Sequence, residues 1–316
     1  MTGASGFVGQ ALMAKLLSCQ HDVHAVFRSL DKNAPVLARV AQTFSVGDIL
    51  LGANWDSALA GVDCVVHCAA RAHVMNEIET DALAAYRGIN VTGTRQLAEQ
   101  AAKMGLRRLV YLSSIKVDVE QTVSADCFVS QNNTKTEDPY AISKWEAEQA
   151  LHEVSAETDL EVVIIRPPLV YGPGVKGNFL SMLNWLSRGV PLPLGAIRNQ
   201  RSLVGIDNLV DLILTCMDHP AAANQTFLVS DDEDLSTTEL LRRLGAALGK
   251  PARLLPIPAP LLELAAQLAG KQAIAERLLG DLQVNISTTK NILEWAPPVS
   301  INDGLEKTAE WYLGKS

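Results

Sequence analysis

Thr2-Gly3-Ala4-Ser5-Gly6-Phe7-Val8-Gly9 runs straight into Gln10-Ala-Leu-Met-Ala-Lys-Leu-Leu17. Glycines at three-residue spacing ahead of an apolar helical pattern are what a phosphate-holding strand-to-helix turn requires. Without side chains they allow the tight turn, close backbone approach to a pyrophosphate, and close helix–sheet packing. The N-terminus of the helix offers N–H groups and a partial positive charge to the anion. Gly3, Ser5, Gly6, Phe7, Val8 and Gly9 are therefore the expected cradle. A glycine triplet alone is a weak signal. A unit of this kind also begins with a buried strand before its first glycine, whereas only Met1 and Thr2 precede Gly3 here. A start placed late is favoured over a sheet lacking most of its central strand.

The second decisive stretch is Tyr140-Ala-Ile-Ser-Lys144, with Ser113-Ser114 upstream. Residues four apart on a helix share a face. A tyrosine is a poor acid or base at neutral pH, because its ordinary pKa is about 10. A lysine ammonium beside it favours the phenolate, and the pair is then expected to move a proton to or from an alcohol oxygen. The hydroxyl of Ser114 would hold the same oxygen. Taken cold, Tyr-x-x-x-Lys is an ordinary solvated helix face. Joined in order to the glycine turn, however, Ser114, Tyr140 and Lys144 resemble the short-chain dehydrogenase/reductases. The Gly-x-x-Gly-x-x-Gly spacing and the chain length resemble their extended, nucleotide-sugar-modifying branch, in the epimerase/dehydratase family. The fold expected from this is α/β: a Rossmann-type, doubly wound parallel sheet with a smaller C-terminal substrate-binding lobe. Residues 1–168, rejoined by 201–220, would form the dinucleotide domain, and 169–200 with 221–316 the lobe.

Composition narrows the options. With 316 residues, 48% of them hydrophobic, the chain can bury a sizeable core. A net charge of −8 argues against nucleic acid as a main partner and means that an anionic substrate needs local arginines or lysines. The five cysteines (19, 64, 68, 127 and 216) lack metal-ligand spacing. Cys64 and Cys68 read as core packing, and no metal site is expected. The first residues lack the basic start of a signal peptide. The apolar stretch from Pro258 to Leu279 is broken by Glu263, Gln267 and Lys271, so it reads as one amphipathic helix over 259–279, without membrane insertion. A cytoplasmic location fits all of this.

In chain order, 21–29 reads as the second strand. NAD users carry an acid at the end of this strand for the ribose hydroxyls. Phe27 stands in that place and Arg28 follows, which suits a 2′-phosphate and favours NADPH/NADP over NAD; the bland alternative is a surface arginine on a turn. Residues 43–49 form a third strand and 61–70 a fourth, where His67 reads as a satisfied core histidine. A long helix spans 83–104. Residues 107–114 make a fifth strand that delivers the serines to its carboxyl end, where open α/β sheets bind ligands. The polar stretch 120–139 reads as a loop over the rim of the site. A strand over 161–168 follows the Tyr140 helix. Ser236, with Glu239 three on, is a capping box opening another helix.

The family resemblance implies the remaining contacts. Asp48 and Ile49 would lie beside the adenine, and Ala69 and Ala70 would make room for the dinucleotide. Asn90 would hold the sheet and active-site backbone together. Ser113, Pro167, Tyr140 and Lys144 would complete the cofactor site. Asn178 and Arg201 would meet the diphosphate of a UDP-sugar. Arg277 is placed near a second expected arginine, with a surface ion pair an equal reading. Lys116, where relatives carry small residues, is equally a substrate contact or a solvated side chain. The resemblance also implies a homodimer through the helices at 83–104 and 140–157. Ser113-Ser-Ile-Lys-Val117 and Val163-Ile-Ile-Arg-Pro-Pro-Leu-Val-Tyr-Gly-Pro-Gly174 look like bacterial 4-reductases of surface-polysaccharide (O-antigen) pathways, which use NADPH to turn UDP-4-keto-6-deoxy-N-acetylglucosamine into UDP-N-acetylquinovosamine. A UDP-hexose 4-epimerase with tightly bound NAD is the main alternative, and a non-catalytic nucleotide sensor the remote one. Ile115-Lys116 offers no acid–base pair of the kind dehydratases add.

Overall fold

The computed structural model describes residues 1–28, 42–47, 53–71, 81–121, 127–129 and 138–314. The first half alternates strands and helices: α1 (Phe7–Ser18), β1 (His24–Phe27), β2 (Gln42–Ser45), α2 (Asp56–Leu59), β3 (Cys64–His67), α3 (Ala82–Arg87), a π-helical turn (Gly88–Thr92), α4 (Gly93–Lys103), β4 (Arg108–Leu112), α5 (Lys116–Gln121), β5 (Cys127–Val129), α6 (Pro139–Glu157) and β6 (Glu161–Arg166). The second half holds β7 (Leu169–Tyr171), α7 (Gly177–Ser187), β8 (Arg201–Gly205), α8 (Ile206–Asp218), β9 (Thr226–Leu228), β10 (Asp234–Leu235), α9 (Thr237–Ala247), α10 (Ala259–Leu268), α11 (Gln272–Leu279), β11 (Leu282–Val284), α12 (Ser287–Leu293) and α13 (Ile301–Leu313).

β3, β4, β6 and β9 form a parallel sheet in that order, and β1 pairs in parallel with β2. Thr2 bridges the two groups, pairing with Val26 on one side and His67 on the other. The strands are apolar on both faces because both are covered by helices. On one face Val65, Leu109, Tyr111, Val162 and Ile164 pack with Leu97 and Leu151 of α4 and α6. The alternate residues Val66, Val110, Val163 and Ile165 pack on the other with Leu12 and Leu16 of α1 and Leu209 and Ile213 of α8. The two-residue period of a strand thus separates the two cores. At this sheet's carboxyl edge lie the ends of β3, β4 and β6, which carry the site.

A second core, including Tyr171, Phe179, Leu183, Leu241, Leu244, Ile301 and Leu305, holds the smaller lobe. Its sheet runs β10-β8-β11-β5, with β7 beside β8. Three expectations change here. First, β9 extends the parallel sheet, and Ile286, Leu293 and Trp295 pack into the nucleotide-side core, so the expected lobe segment 221–316 is shared between the two cores. Second, the helix over 259–279 is two helices. Gly270, at φ 65, stops α10, and Lys271 N–H reaches Ala266 C=O while Gly270 N–H reaches Gln267 C=O, the hydrogen-bond pattern of a glycine-terminated helix. Third, the stretch 120–139 is not all loop, since β5 pairs antiparallel with β11. The helix expected over 83–104 also has a π-helical break at its middle. The capping box is present, with Ser236 Oγ accepting from Glu239 N–H at 3.0 Å.

Candidate active site

Asp138 and Pro139 start α6: the Asp138 side chain accepts from Tyr140 N–H at 3.0 Å and the proline occupies the first turn, as an N-cap and an N1 proline do. This capping fixes where Tyr140 stands, and Lys144 follows one turn later. Ser114 leaves β4 in a turn where its carbonyl accepts from Val117 N–H and Ile115 N–H donates to Pro167 C=O at 3.0 Å. The Ser114 hydroxyl lies near enough to the Tyr140 hydroxyl to favour its ionised form. Serine and tyrosine therefore meet at the sheet edge.

Lys144 is buried. Its Nζ donates to Leu112 C=O at 2.8 Å and to Tyr111 Oη at 3.2 Å, with the ammonium 4.5 Å from the Tyr111 ring centroid. Burial lowers its pKa to about 8, against the pull of Cys68 and Glu148. Burial likewise raises the Tyr140 pKa to about 12; Asp138 and Tyr86 add to this and the Ser114 hydroxyl opposes it. The expectation that Lys144 depresses the Tyr140 pKa therefore needs correction for the protein alone. The lysine's hydrogen bonds are to β4, and desolvation of the phenol outweighs the rest.

Two residues flank the Tyr140 ring, and two more are tied to them or to its helix. Tyr86 of α3 meets the Tyr140 ring edge-on at 6.1 Å, and the Arg71 guanidinium lies 5.6 Å above Tyr86. Lys116, read as substrate contact or solvated side chain, forms an ion pair with Asp138 at 2.5 Å and lies 5.5 Å from the Tyr140 ring centroid. Asn90 is buried in the π-helical turn. It exchanges hydrogen bonds with the Arg71 backbone at 2.8 and 3.1 Å and donates to Ser143 Oγ at 2.9 Å. Its amide ties the exit of β3 to α6.

The glycine turn fits a dinucleotide. Gly3 has φ +70, and a Cβ there would stand 2.7 Å from backbone atoms of Cys68 and Ala69. A Cβ on Gly9 would lie 2.0 Å from the Gly3 carbonyl oxygen, so only glycine lets α1 approach so near. No side chain caps α1 at Gly6, which leaves the first-turn amides of Phe7, Val8 and Gly9 directed at the turn, with Ser5 beside them. Ala69 and Ala70 are half-buried at the exit of β3. Pro167 is buried at the exit of β6. Arg28 is exposed where β1 ends, its carbonyl accepting from Ser45 Oγ at 3.3 Å. Asp48 and Ile49 lie outside the described residues.

Other placements depart from expectation. Ser113 turns its hydroxyl inward to Glu148, away from a cofactor role for that side chain. Glu148 and Asp118 both pair with Arg166, the latter at 2.7 Å, and all three are buried. This cluster was legible only in part: Glu148 lies four residues after Lys144 on one helix, and Arg166 ends a strand whose interior, Val162–Ile165, is apolar. Asn178 is exposed in the first turn of α7. Arg201 is half-buried and donates to Gly280 C=O at 2.8 Å, and desolvation lowers its pKa. Arg277 stands in the last turn of α11, the helix that Gly280 ends. The two arginines thus flank one corner of the lobe. His67 bonds Thr2 Oγ1 at 2.7 Å and Thr94 Oγ1 at 2.9 Å, and burial drops its pKa to about 3; it is a neutral core histidine. Among the described residues no His, Cys, Asp or Glu cluster suits a metal ion, and no helix is long and apolar enough to cross a membrane.

A glycine turn at the first helix and a Ser–Tyr–Lys set at the edge of a parallel sheet define a Rossmann-type α/β fold. The chain belongs to the NAD dependent epimerase/dehydratase family, whose sequence profile matches residues 1–230. It is 47% identical to a UDP-glucose 4-epimerase of Vibrio cholerae, over 99% of this chain and 94% of that protein. It is 26% identical to an N-acetyl-alpha-D-glucosaminyl-diphospho-ditrans,octacis-undecaprenol 4-epimerase of Escherichia coli O157:H7, covering 98% and 94%. In fold it is similar to a UDP-glucuronic acid 4-epimerase from Bacillus cereus solved with UDP-glucuronic acid and NAD (TM-score 0.76, 20% identity, 100% and 98% covered).

Proposed function

We propose that this enzyme inverts C4 of a UDP-hexose, UDP-glucose being the first candidate, with NAD held at the glycine turn. The observation that carries this is the end-to-end 47% identity to a UDP-glucose 4-epimerase, together with the proximity of Ser114 to Tyr140, the two hydroxyls that such chemistry needs. Bound nicotinamide dinucleotide supplies a two-electron acceptor and donor at the sheet edge. Tyr140 accepts the proton of the C4 hydroxyl and later returns it to the same oxygen. Ser114 holds that oxygen by hydrogen bonding throughout. Lys144, released from Tyr111, holds a ribose hydroxyl and brings its positive charge to the phenol side. The two proton transfers balance, so a full cycle consumes nothing. Asn178, Arg201 and Arg277 hold the diphosphate, and arginine forks suit phosphate oxygens.

The test is interconversion of UDP-glucose and UDP-galactose, then of their N-acetyl counterparts, without added reductant. Tyr140→Phe should remove activity while nucleotide stays bound. A second reading, NADPH-dependent reduction of a UDP-4-keto-6-deoxy-N-acetylhexosamine for surface polysaccharide, is favoured by the exposed Arg28 at the end of β1. Stoichiometric NADPH consumption with that ketone, and no epimerisation, would replace the first reading with the second.

A further inference from the structure

The environment of Tyr140 contains a charge arrangement that proton transfer between a phenol and a sugar hydroxyl does not require. Asp138 caps α6 through Tyr140 N–H, which sets a carboxylate immediately beside the reacting side chain. One Asp138 oxygen serves the cap and the other binds Lys116 Nζ. That ammonium lies over the Tyr140 ring at 5.5 Å. α5 holds it there from two sides. Asp118, two residues on, is buried and anchored to Arg166 at 2.7 Å, and Lys116 N–H donates to Ser114 Oγ at 3.3 Å. Lys116 is thus a partly exposed side chain on a pinned helical turn, aimed at the capping carboxylate and the phenol together.

We propose that Lys116 is a positioning residue for Tyr140: paired with Asp138 and laid over the ring, it offsets the capping carboxylate and so sets the ionisation of the phenol. The cap that orients Tyr140 also places a negative charge that opposes the phenolate, and Lys116 is the local counterweight. The other groups facing the ring are Ser114, Tyr86 from α3 beneath Arg71, Tyr111 from β4, and Lys144 one turn along α6. Tyr111 stays a neutral phenol, its pKa raised by burial, and Lys144 is bonded to β4. After burial, Asp138 is the largest cause of the raised Tyr140 pKa, and the geometry of Lys116 carries the counterweight. The inference rests on Tyr140 being the proton-transfer group and is independent of which sugar is bound.

The experiment follows Tyr140 directly by NMR of isotope-labelled tyrosine in the intact protein, with Y140F identifying its signal, beside the pH dependence of turnover. K116M should delay Tyr140 ionisation by about one pH unit, as loss of a unit charge at this range implies. K116R should keep it near the wild type. D138N, whose side-chain oxygen still caps α6, should advance it by a similar amount. K116M/D138N should fall between the two. The acidic limb of the turnover profile should move in step. An unmoved Tyr140 titration in both K116M and D138N overturns the proposal. So does a K116M enzyme slowed equally at every pH with its titration unchanged, which would make Lys116 a substrate contact. Neither reading depends on which nucleotide sugar is turned over, so a wrong substrate leaves the NMR result standing.

Discussion

Lys144 and Tyr111 are hydrogen-bonded, ammonium to phenol, at 3.2 Å across the base of the site. A lysine expected to serve the neighbouring tyrosine is therefore stored against β4, in a place so dry that its pKa falls to about 8.

That storage has a thermodynamic signature. The unfolded chain holds the Lys144 proton to about 10.5, while the native protein releases it near 8. The unfolded state thus binds more protons between those values, and this group's contribution to stability rises with pH across the window. The gain is about 3 kcal/mol. The difference in denaturant stability between the wild type and Lys144→Met should grow from pH 7.5 to about 10. The difference is needed because Cys64, Cys68 and Cys216, whose thiol pKa values burial raises, lower the stability of both proteins above about pH 9. A difference that stays constant across the window sinks the assignment to Lys144.

Gly9→Ala should be among the worst single-methyl insertions in the chain. The added carbon would sit 2.0 Å from the Gly3 carbonyl oxygen, so α1 must move off the turn. Overpacking of this kind costs about 1–3 kcal/mol, and dinucleotide retention should fall with it. Calorimetry alongside fluorescence titration of the nucleotide checks both. Retained affinity would show that α1 need not lie so close.

Arg166→Met should be far more damaging than Glu148→Gln. The first leaves two buried carboxylates, Glu148 and Asp118, facing one another without the cation; the second leaves the Arg166–Asp118 pair. Breaking a buried ion pair by removing one partner costs about 3–5 kcal/mol. Equal losses in urea unfolding would mean that the cluster acts through shape alone.

Asn90→Ala should reduce turnover about ten- to a hundredfold through misplacement of Tyr140, because it removes the tie between Ser143 on α6 and the Arg71 backbone. KM should change less, since the amide's hydrogen bonds are within the protein. A variant with unchanged kcat would make the tie purely structural.

Much of this arrangement was legible beforehand because it is written in local chemistry. Gly3 and Gly9 announce a turn that only glycine can make, and Tyr140 and Lys144 share a face by helical period alone. Apolar strands such as Val162–Ile165 declare burial on both sides. What escaped was decided at long range. Nothing local says that Cys127–Val129 finds β11, more than 150 residues away, as its partner. The destination of the Ser113 hydroxyl depends on a glutamate from another element. Lys116 was ambiguous for the same reason: its role comes from an aspartate 22 positions on. The helix expected over 83–104 is present, but its π-helical turn escaped, because such a turn has no strong residue signature.

That turn, Gly88–Thr92, is in effect one residue too many for an α-helix. Each residue advances a helix by about 100°, so a single-codon deletion there would let α3 and α4 run on smoothly while swinging Asn90 off the site. The chain would keep every functional side chain and improve its local hydrogen bonding, yet lose the brace. The extra residue of that turn is what gives the asparagine its bearing.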